Sequence, residues 1–203
     1  MSTSERTLDW SALLADQIDW HWIHQARPRL NGITDAEYRW EPVPGSWNVR
    51  PRGEGVAVEV GAGDSIIDFA FPEPKPAPVT TIAWRLGHLN VGVLGQRNAR
   101  YFGGPARDYD SYEYPLSAVD AIGELDGNYA RWIAGVRALS AGRLTARCAE
   151  PGFENASMAE LILHINRELI HHLAEVALLR DLFLRRTEDD DVADEAMSEH
   201  PND

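Results

Sequence analysis

Cysteine is almost absent from this sequence, since Cys148 is the only one among 203 residues. A single cysteine cannot form an intramolecular disulfide, and it cannot supply the several thiolates of a finger-type zinc site. No histidine lies near Cys148 in sequence to activate it as a nucleophile. We therefore expect a cytoplasmic protein whose chemistry does not depend on this thiol.

Basic residues and long apolar runs are also scarce. The chain has 19 Lys and Arg against 32 Asp and Glu, which gives a formal net charge of −13. Such a charge repels phosphate backbones and anionic lipid, so nucleic acid is excluded as an expected partner. No run of about 18 apolar residues is present, and the N-terminus lacks a basic segment followed by an apolar one. We expect neither an export signal nor a membrane span.

The remaining composition is that of an ordinary globular protein, with 44% hydrophobic and 25% charged residues. One core can serve a chain of this length. From residue 185 to residue 203 the sequence becomes acidic and nearly free of large apolar groups, which is typical of a solvated, disordered tail. The sequence therefore predicts one domain over residues 1–184 and a tail over residues 185–203.

Apolar residues recur at helical spacing in four segments, which predicts four long helices. Between the first two, glycine and proline crowd residues 33–79, and two β-prone runs flank Gly61–Asp64, which predicts a small β-hairpin laid over the helices. The fold class is therefore all-α, a four-helix bundle with one Gly/Pro-rich insertion. The predicted helices span residues 8–30, from Thr80 or Thr81 to 102, 117–140, and from Asn155 or Ser157 to 185.

The fourth predicted helix carries polar residues on or beside its apolar face. Glu168 and His172 are four residues apart, so their side chains lie one turn apart on the same side of the helix. A buried carboxylate is costly unless it is paired or binds a cation, so Glu168 needs a partner. The apolar residues that define this face are Leu161, Ile165, Leu169, Val176 and Leu179.

A third metal ligand would have to come from another helix, and the second helix offers His88. Two imidazoles and one carboxylate suit zinc, nickel or iron(II). The spacing leaves other interpretations open, because a helical histidine in a core is often only hydrogen-bonded. Glu168 could instead pair with an arginine, and His171 could simply face solvent.

Two segments carry a resemblance to a known family. TTIAWRLGHLNVGVLGQRNARYFG resembles the second helix of DinB-like proteins, especially their actinobacterial branch, and HINRELIHHLAEVALLRDL resembles their last core helix. The resemblance implies an up-down-down-up bundle similar to the bundle domain of mycothiol-dependent maleylpyruvate isomerase. It also implies a homodimer and a divalent metal, zinc first and nickel or iron next, held by His88, Glu168 and His172.

The activity implied by the resemblance is a metal-dependent thiol S-transferase acting on a small electrophile, with a low-molecular-weight thiol as cosubstrate. His164 and His171 would orient the ligands or move a proton, and Trp84 would help to exclude water. Relatives tend to have Gly-His-Ala-Asp after the last ligand, whereas this chain has Leu173–Val176, so contacts to the thiol or substrate are expected to differ. The arginines of the second helix are interpreted as a solvated face, outside the catalytic set: Arg85, Arg97 and Arg100.

Two non-catalytic alternatives remain at this point. The bundle could be a stress-associated protein that binds a small molecule or a metal without turnover. It could also be a dimeric scaffold with a vestigial site, in which His88 and Glu168 form a buried hydrogen-bonded pair without metal. Fold resemblance does not choose among these functions.

Overall fold

The computed structural model describes residues 8–186 as a mostly helical chain with one small antiparallel sheet, which confirms the helical class. Its α-helices are α1 (Trp10–His21), α2 (Arg27–Arg29), α3 (Asp35–Arg39), α4 (Ile82–His88), α5 (Gly95–Tyr101), α6 (Ala118–Arg137), α7 (Ala141–Thr145) and α8 (Met158–Phe183). Two π-helical turns, Trp22–Ala26 and Leu89–Val93, follow α1 and α4. The strands are β1 (Val49–Pro51), β2 (Val58–Val60) and β3 (Ser65–Phe69).

The long helices begin where the capping residues predict. The Thr81 side chain accepts a hydrogen bond from the Trp84 amide, and Ser117 does the same for Asp120. Ser157 forms a full capping box with Glu160 at the start of α8. Each cap satisfies an amide that has no partner within its helix, which sets the helix start.

The core lies between four helical stretches. α1 and α4 each pack against both α6 and α8. The predicted inward face of α8 is buried at Leu161, Ile165, Leu169 and Val176, and Leu179 is partly buried. This packing agrees with the sequence pattern, while the up-down-down-up order of the helices stays a prediction.

The first two predicted helices are less regular than their apolar spacing suggests. The first passes through the π-turn Trp22–Ala26, and the second is α4, the π-turn Leu89–Val93 and α5 in succession. A π-turn adds one residue per turn and leaves the apolar pattern almost unchanged, so periodicity does not reveal it. The short helices α3 and α7 are also missing from the prediction, because single turns carry little periodicity.

The predicted hairpin is present, but it is part of a larger sheet. β2 and β3 pair antiparallel, as expected, and β1 pairs with the other edge of β3, which gives the order β1-β3-β2. Residues Ser65–Asp68 of β3 are buried. The sheet therefore contributes to the core instead of lying over it.

Asp68 organises this insertion from a fully buried position. Its carboxylate accepts hydrogen bonds from the Asn48 amide at 2.9 Å, from the Arg50 guanidinium at 3.0 Å and from the Val56 amide at 2.9 Å. Its backbone carbonyl accepts one from the Trp84 indole at 2.8 Å. These bonds satisfy a buried charge and attach the insertion to α4.

Two further sequence predictions concern the acidic tail and membrane-spanning helices. The acidic tail predicted from residue 185 falls almost entirely outside the described residues. Within residues 8–186, no helix combines the length and the apolar character that crossing a membrane requires.

Candidate metal centre

His88, Glu168 and His172 come together where α4 ends against the middle of α8. One nitrogen or oxygen atom of each residue lies within 4.8 Å of the corresponding atoms of the other two. The rings of His88 and His172 cross edge-on with their centroids 4.8 Å apart. The sequence predicts this set of three, and the structure brings them together; their role as metal ligands stays a prediction.

His172 is held from behind by a carboxylate. Only 7% of the residue is exposed, and its Nδ1 lies 2.8 Å from the Glu175 Oε2 atom. Its other nitrogen, Nε2, lies 3.5 Å from the Glu168 Oε2 atom. The Arg85 Nη1 atom also lies 3.3 Å from the His172 Nδ1. In the tautomer whose Nδ1–H donates to Glu175, Nε2 carries a free lone pair. His172 therefore turns a potential ligand atom toward Glu168.

Glu175 is ionised in this position. Burial alone would raise the pKa of Glu175. The hydrogen bond from His172 and the charge of Arg85 lower it by more than burial raises it, so the net shift is downward. The Arg85 Nε atom lies 3.0 Å from the Glu175 Oε2 atom. This pairing with a positive charge keeps Glu175 as the hydrogen-bond acceptor of His172.

His88 is wedged between two aromatic residues. Trp84 stacks on it with the ring centroids 5.4 Å apart, and the Tyr109 hydroxyl lies 2.6 Å from its Nδ1. Burial above all, together with the nearby His172, Arg85 and Arg97, lowers the pKa of His88 to about 3. The imidazole is therefore neutral near pH 7, which is the state that a metal ligand needs. The Tyr109 hydroxyl can accept a hydrogen bond from an Nδ1–H of His88, and in that tautomer the lone pair of Nε2 is available.

Gly92 makes room for the Tyr109 hydroxyl. It lies in the π-turn Leu89–Val93, directly after His88. A Cβ atom at this position would overlap the hydroxyl, would lie 2.9 Å from Tyr109 Cζ, and would lie 3.2 Å from His88 Nδ1. A residue without a side chain is thus required for the contact between Tyr109 and His88. π-turns of this kind are often found at functional sites.

The other predicted residues lie around this set at different distances. Trp84 is buried and stacks on His88, while its role in excluding water stays a prediction. His164 is partly exposed, with its Nδ1 3.4 Å from the Glu168 Oε1 atom and 2.8 Å from the Arg167 Nη2 atom. The His171 side chain is 62% exposed, with its Nε2 3.4 Å from the Glu175 Oε1 atom. His164 and His171 thus each contact a carboxylate next to His172.

A second group of three could also hold a cation: His171, His172 and Glu175. It is less suitable for two reasons. His171 is mostly exposed, and Glu175 is already paired with Arg85, whose positive charge would repel a cation. The pairing of Glu175 with Arg85 therefore favours the set that contains His88 and Glu168.

The chemistry of this set fits a divalent cation. Ligand atoms about 2.0–2.2 Å from a tetrahedral ion are about 3.4 Å from one another. Atoms within 4.8 Å can reach that spacing by small side-chain rotations. Two imidazoles and one carboxylate match the donors that zinc, nickel and iron(II) accept, and three protein ligands leave a position open.

A small cavity opens beside the three residues. Its volume is about 210 Å³, and it is lined on one side by His88, Gly92 and Tyr109 and on the other by His164 and Glu168. Two residues of this site, Tyr109 and Glu175, are missing from the sequence prediction. Glu175 follows His172 by three residues, a spacing that places both on one face of a helix and could have identified it. Tyr109 lies between α5 and α6, where no pattern points to it.

Comparisons with known proteins place the chain in one family. The sequence model of the DinB superfamily matches residues 64–176, which is more than half of the chain and includes His88, Glu168 and His172. No curated protein and no solved structure matches it significantly. The family match agrees with the helical fold and with the resemblance of the two helical segments, and the chain therefore belongs to the DinB superfamily.

Proposed function

We propose that this protein is a metal-dependent enzyme of the DinB-like type, in which His88, Glu168 and His172 hold one divalent cation. The observation that carries the proposal is the convergence of these three side chains from α4 and α8. The hydrogen bonds behind them add support, because Glu175 and Tyr109 hold the two histidines at Nδ1. Such outer contacts orient ligands in metal sites and increase their basicity.

The reaction proposed for this site is thiol S-transfer to a small electrophile, with a low-molecular-weight thiol as cosubstrate. A bound cation would supply Lewis acidity at its open position and lower the pKa of a coordinated thiol. Zinc suits the donor set first, followed by nickel and iron(II). The ring of His164, partly exposed at the edge of the small cavity, is placed to accept the thiol proton. Trp84 and Tyr109 cover His88 and limit the access of water.

One feature separates this proposal from the vestigial-scaffold alternative. The scaffold requires a buried hydrogen bond between His88 and Glu168. Within residues 8–186 no hydrogen bond joins His88 to Glu168: His88 bonds to Tyr109 through Nδ1, and Glu168 lies near His164 and His172. These contacts support the cation site over the vestigial scaffold.

Elemental analysis of purified protein tests the cation site. The protein should carry no histidine tag and meet no chelator, and it should be analysed beside His172→Ala, Glu168→Ala and His171→Ala. We expect about one metal ion per chain in the wild type and in His171→Ala, and none in the other two variants. The His171→Ala control separates the two possible groups of ligands.

No metal in the wild type, even after reconstitution with zinc, nickel or iron(II), would reject the proposal. If metal is present, the loaded protein should consume free thiol in the presence of an electrophile, and His172→Ala should not. Metal without any such turnover over a panel of thiols would favour the non-catalytic binding protein instead.

A further inference from the structure

A second, larger cavity adjoins the proposed metal centre. Its volume is about 420 Å³, and it lies between α5, the segment 148–156 and the first turns of α8. This volume is within the range of about 300–1,000 Å³ that is usual for small-molecule sites. Much of its wall is apolar, formed by Pro151, Phe153, Ala156, Leu161 and Leu163.

The two cavities share a wall. Arg97 and His164 line both of them, so the larger cavity lies next to the one that contains His88 and Glu168. Arg97 is held in place from two sides, because its guanidinium donates to the Gly92 carbonyl and lies 3.2 Å from the Glu150 carboxylate. A molecule that fills the larger cavity could thus extend between Arg97 and His164 toward the three predicted ligands.

The two carboxylates that line the larger cavity are already engaged with the protein, whereas Arg167, which also lines it, has a side chain that is 71% exposed. The Glu150 carboxylate accepts a hydrogen bond from Tyr101 at 2.8 Å and pairs with Arg97. The Glu160 carboxylate accepts hydrogen bonds from the amide and the hydroxyl of Ser157, at 2.7 and 2.8 Å. Because both carboxylates are satisfied internally, the apolar part of the wall is free to contact an uncharged, apolar group.

We infer that the larger cavity binds the apolar body of the substrate, an alkyl or acyl chain, whose reactive end reaches His88 and Glu168 between Arg97 and His164. This inference rests on the proposed function, since it names the substrate class of that site. An alkyl chain in the cavity would contact Phe153 and Leu163, two residues that are 72% and 49% exposed in the protein alone. Covering them removes apolar surface from water, which is the driving force for binding.

A series of straight-chain alkyl hydroxamates tests the inference on zinc-loaded protein, because the head group binds the metal in every member. Titration calorimetry should show affinity rising about fourfold for each added methylene group until the cavity is filled. Leu163→Asp should flatten this dependence. Leu178→Asp is the matched control, because Leu178 is an exposed leucine of the same helix that does not line the cavity, and it should behave as the wild type. An unchanged affinity across the wild-type series would overturn the inference.

A second arm separates this cavity from the metal. The metal-free protein should bind 1-octanol more tightly than 1-butanol, and Leu163→Asp should abolish the difference while Leu178→Asp keeps it. Elemental analysis of each variant reports the metal content independently. If the protein binds octanol more tightly than butanol but holds no metal, the proposed function alone is contradicted. If the protein holds metal but binds octanol and butanol equally well, the cavity assignment alone is contradicted.

Discussion

At the scale of single residues, Glu175 acts on the site only through His172. It lies on the Nδ1 side of the ring, away from Glu168, and its own charge is balanced by Arg85. A carboxylate in this position fixes the orientation of the imidazole and increases electron density at Nε2. Glu175 is therefore a positioning residue for the proposed cation site.

Replacing this carboxylate by an amide should weaken metal binding without removing a ligand. We expect Glu175→Gln to lower the affinity for zinc by about 10–100-fold, the usual effect of changing an outer contact of a metal-bound histidine. Competition with a chromophoric chelator measures the affinity. Asp181→Asn on the same helix is the control, since Asp181 pairs with Arg29 at the surface, and it should leave the affinity unchanged. A Glu175→Gln affinity equal to that of the wild type would contradict the positioning role.

At the scale of elements, the π-turn between α4 and α5 shapes the site. It begins directly after His88 and places Gly92 against Tyr109. The insertion acts from the other side, because the Asp68 carbonyl holds the Trp84 indole that stacks on His88. His88 is thus oriented by one irregular turn and one small sheet, while the regular helix supplies only its approximate place.

Replacing Gly92 and Gly123 by alanine should change the free energy of unfolding in opposite directions. Gly92→Ala forces Tyr109 away from His88, so we expect it to lower the free energy of unfolding by about 1–3 kcal/mol, the usual cost of overpacking. Gly123 lies in α6 with open space around it, and Gly123→Ala should raise that free energy by about 0.5–1 kcal/mol. Urea titration followed by circular dichroism measures both.

Tyr109→Phe complements this pair, because it removes the hydroxyl without any overlap. It should weaken zinc binding about 10-fold through the lost contact to His88.

The role assigned to Gly92 would be wrong if Gly92→Ala were as stable as the wild type and bound zinc equally well.

At the scale of the whole molecule, the proposed ligands connect helices that are distant in sequence. His88 ends α4, whereas Glu168 and His172 lie in the middle of α8, and the two helices pack against each other. A cation held by all three would bind the folded chain and not the unfolded one, so it would stabilise the fold as a whole. The homodimer expected from the resemblance stays a prediction at this scale.

Metal should therefore raise the thermal stability of the protein in a concentration-dependent way. At a free zinc concentration of about 100 times Kd, the free energy of unfolding should rise by about 2.7 kcal/mol. For a chain of this size this corresponds to an increase in Tm of about 5–10 °C, measured by calorimetry. Chelator should reverse the increase, and His172→Ala should not show it. An equal increase in His172→Ala would indicate that zinc binds elsewhere.

The helical parts of the fold were predictable from the sequence because their signals are local. Apolar residues at three- and four-residue spacing identify the inward face of α8, and Thr81, Ser117 and Ser157 mark helix starts through their own side chains. The β2–β3 hairpin was predictable for the same reason, since two β-prone runs flank a glycine turn. The π-turns escaped prediction because an added residue in one turn hardly changes the spacing of apolar residues.

The sequence by itself determined the helical fold class and, through the i, i+4 spacing of Glu168 and His172, two of the three residues of the candidate site. His88 was assigned from its helix and from family resemblance, and only the packing of α4 against α8 placed it beside the other two. Only the tertiary structure decided the contacts of Tyr109, Gly92 and the buried Asp68, together with the two adjoining cavities. The physical reason is range: helix periodicity and capping act within a few residues, whereas orientation and cavity shape arise from side chains that meet only after the chain has packed.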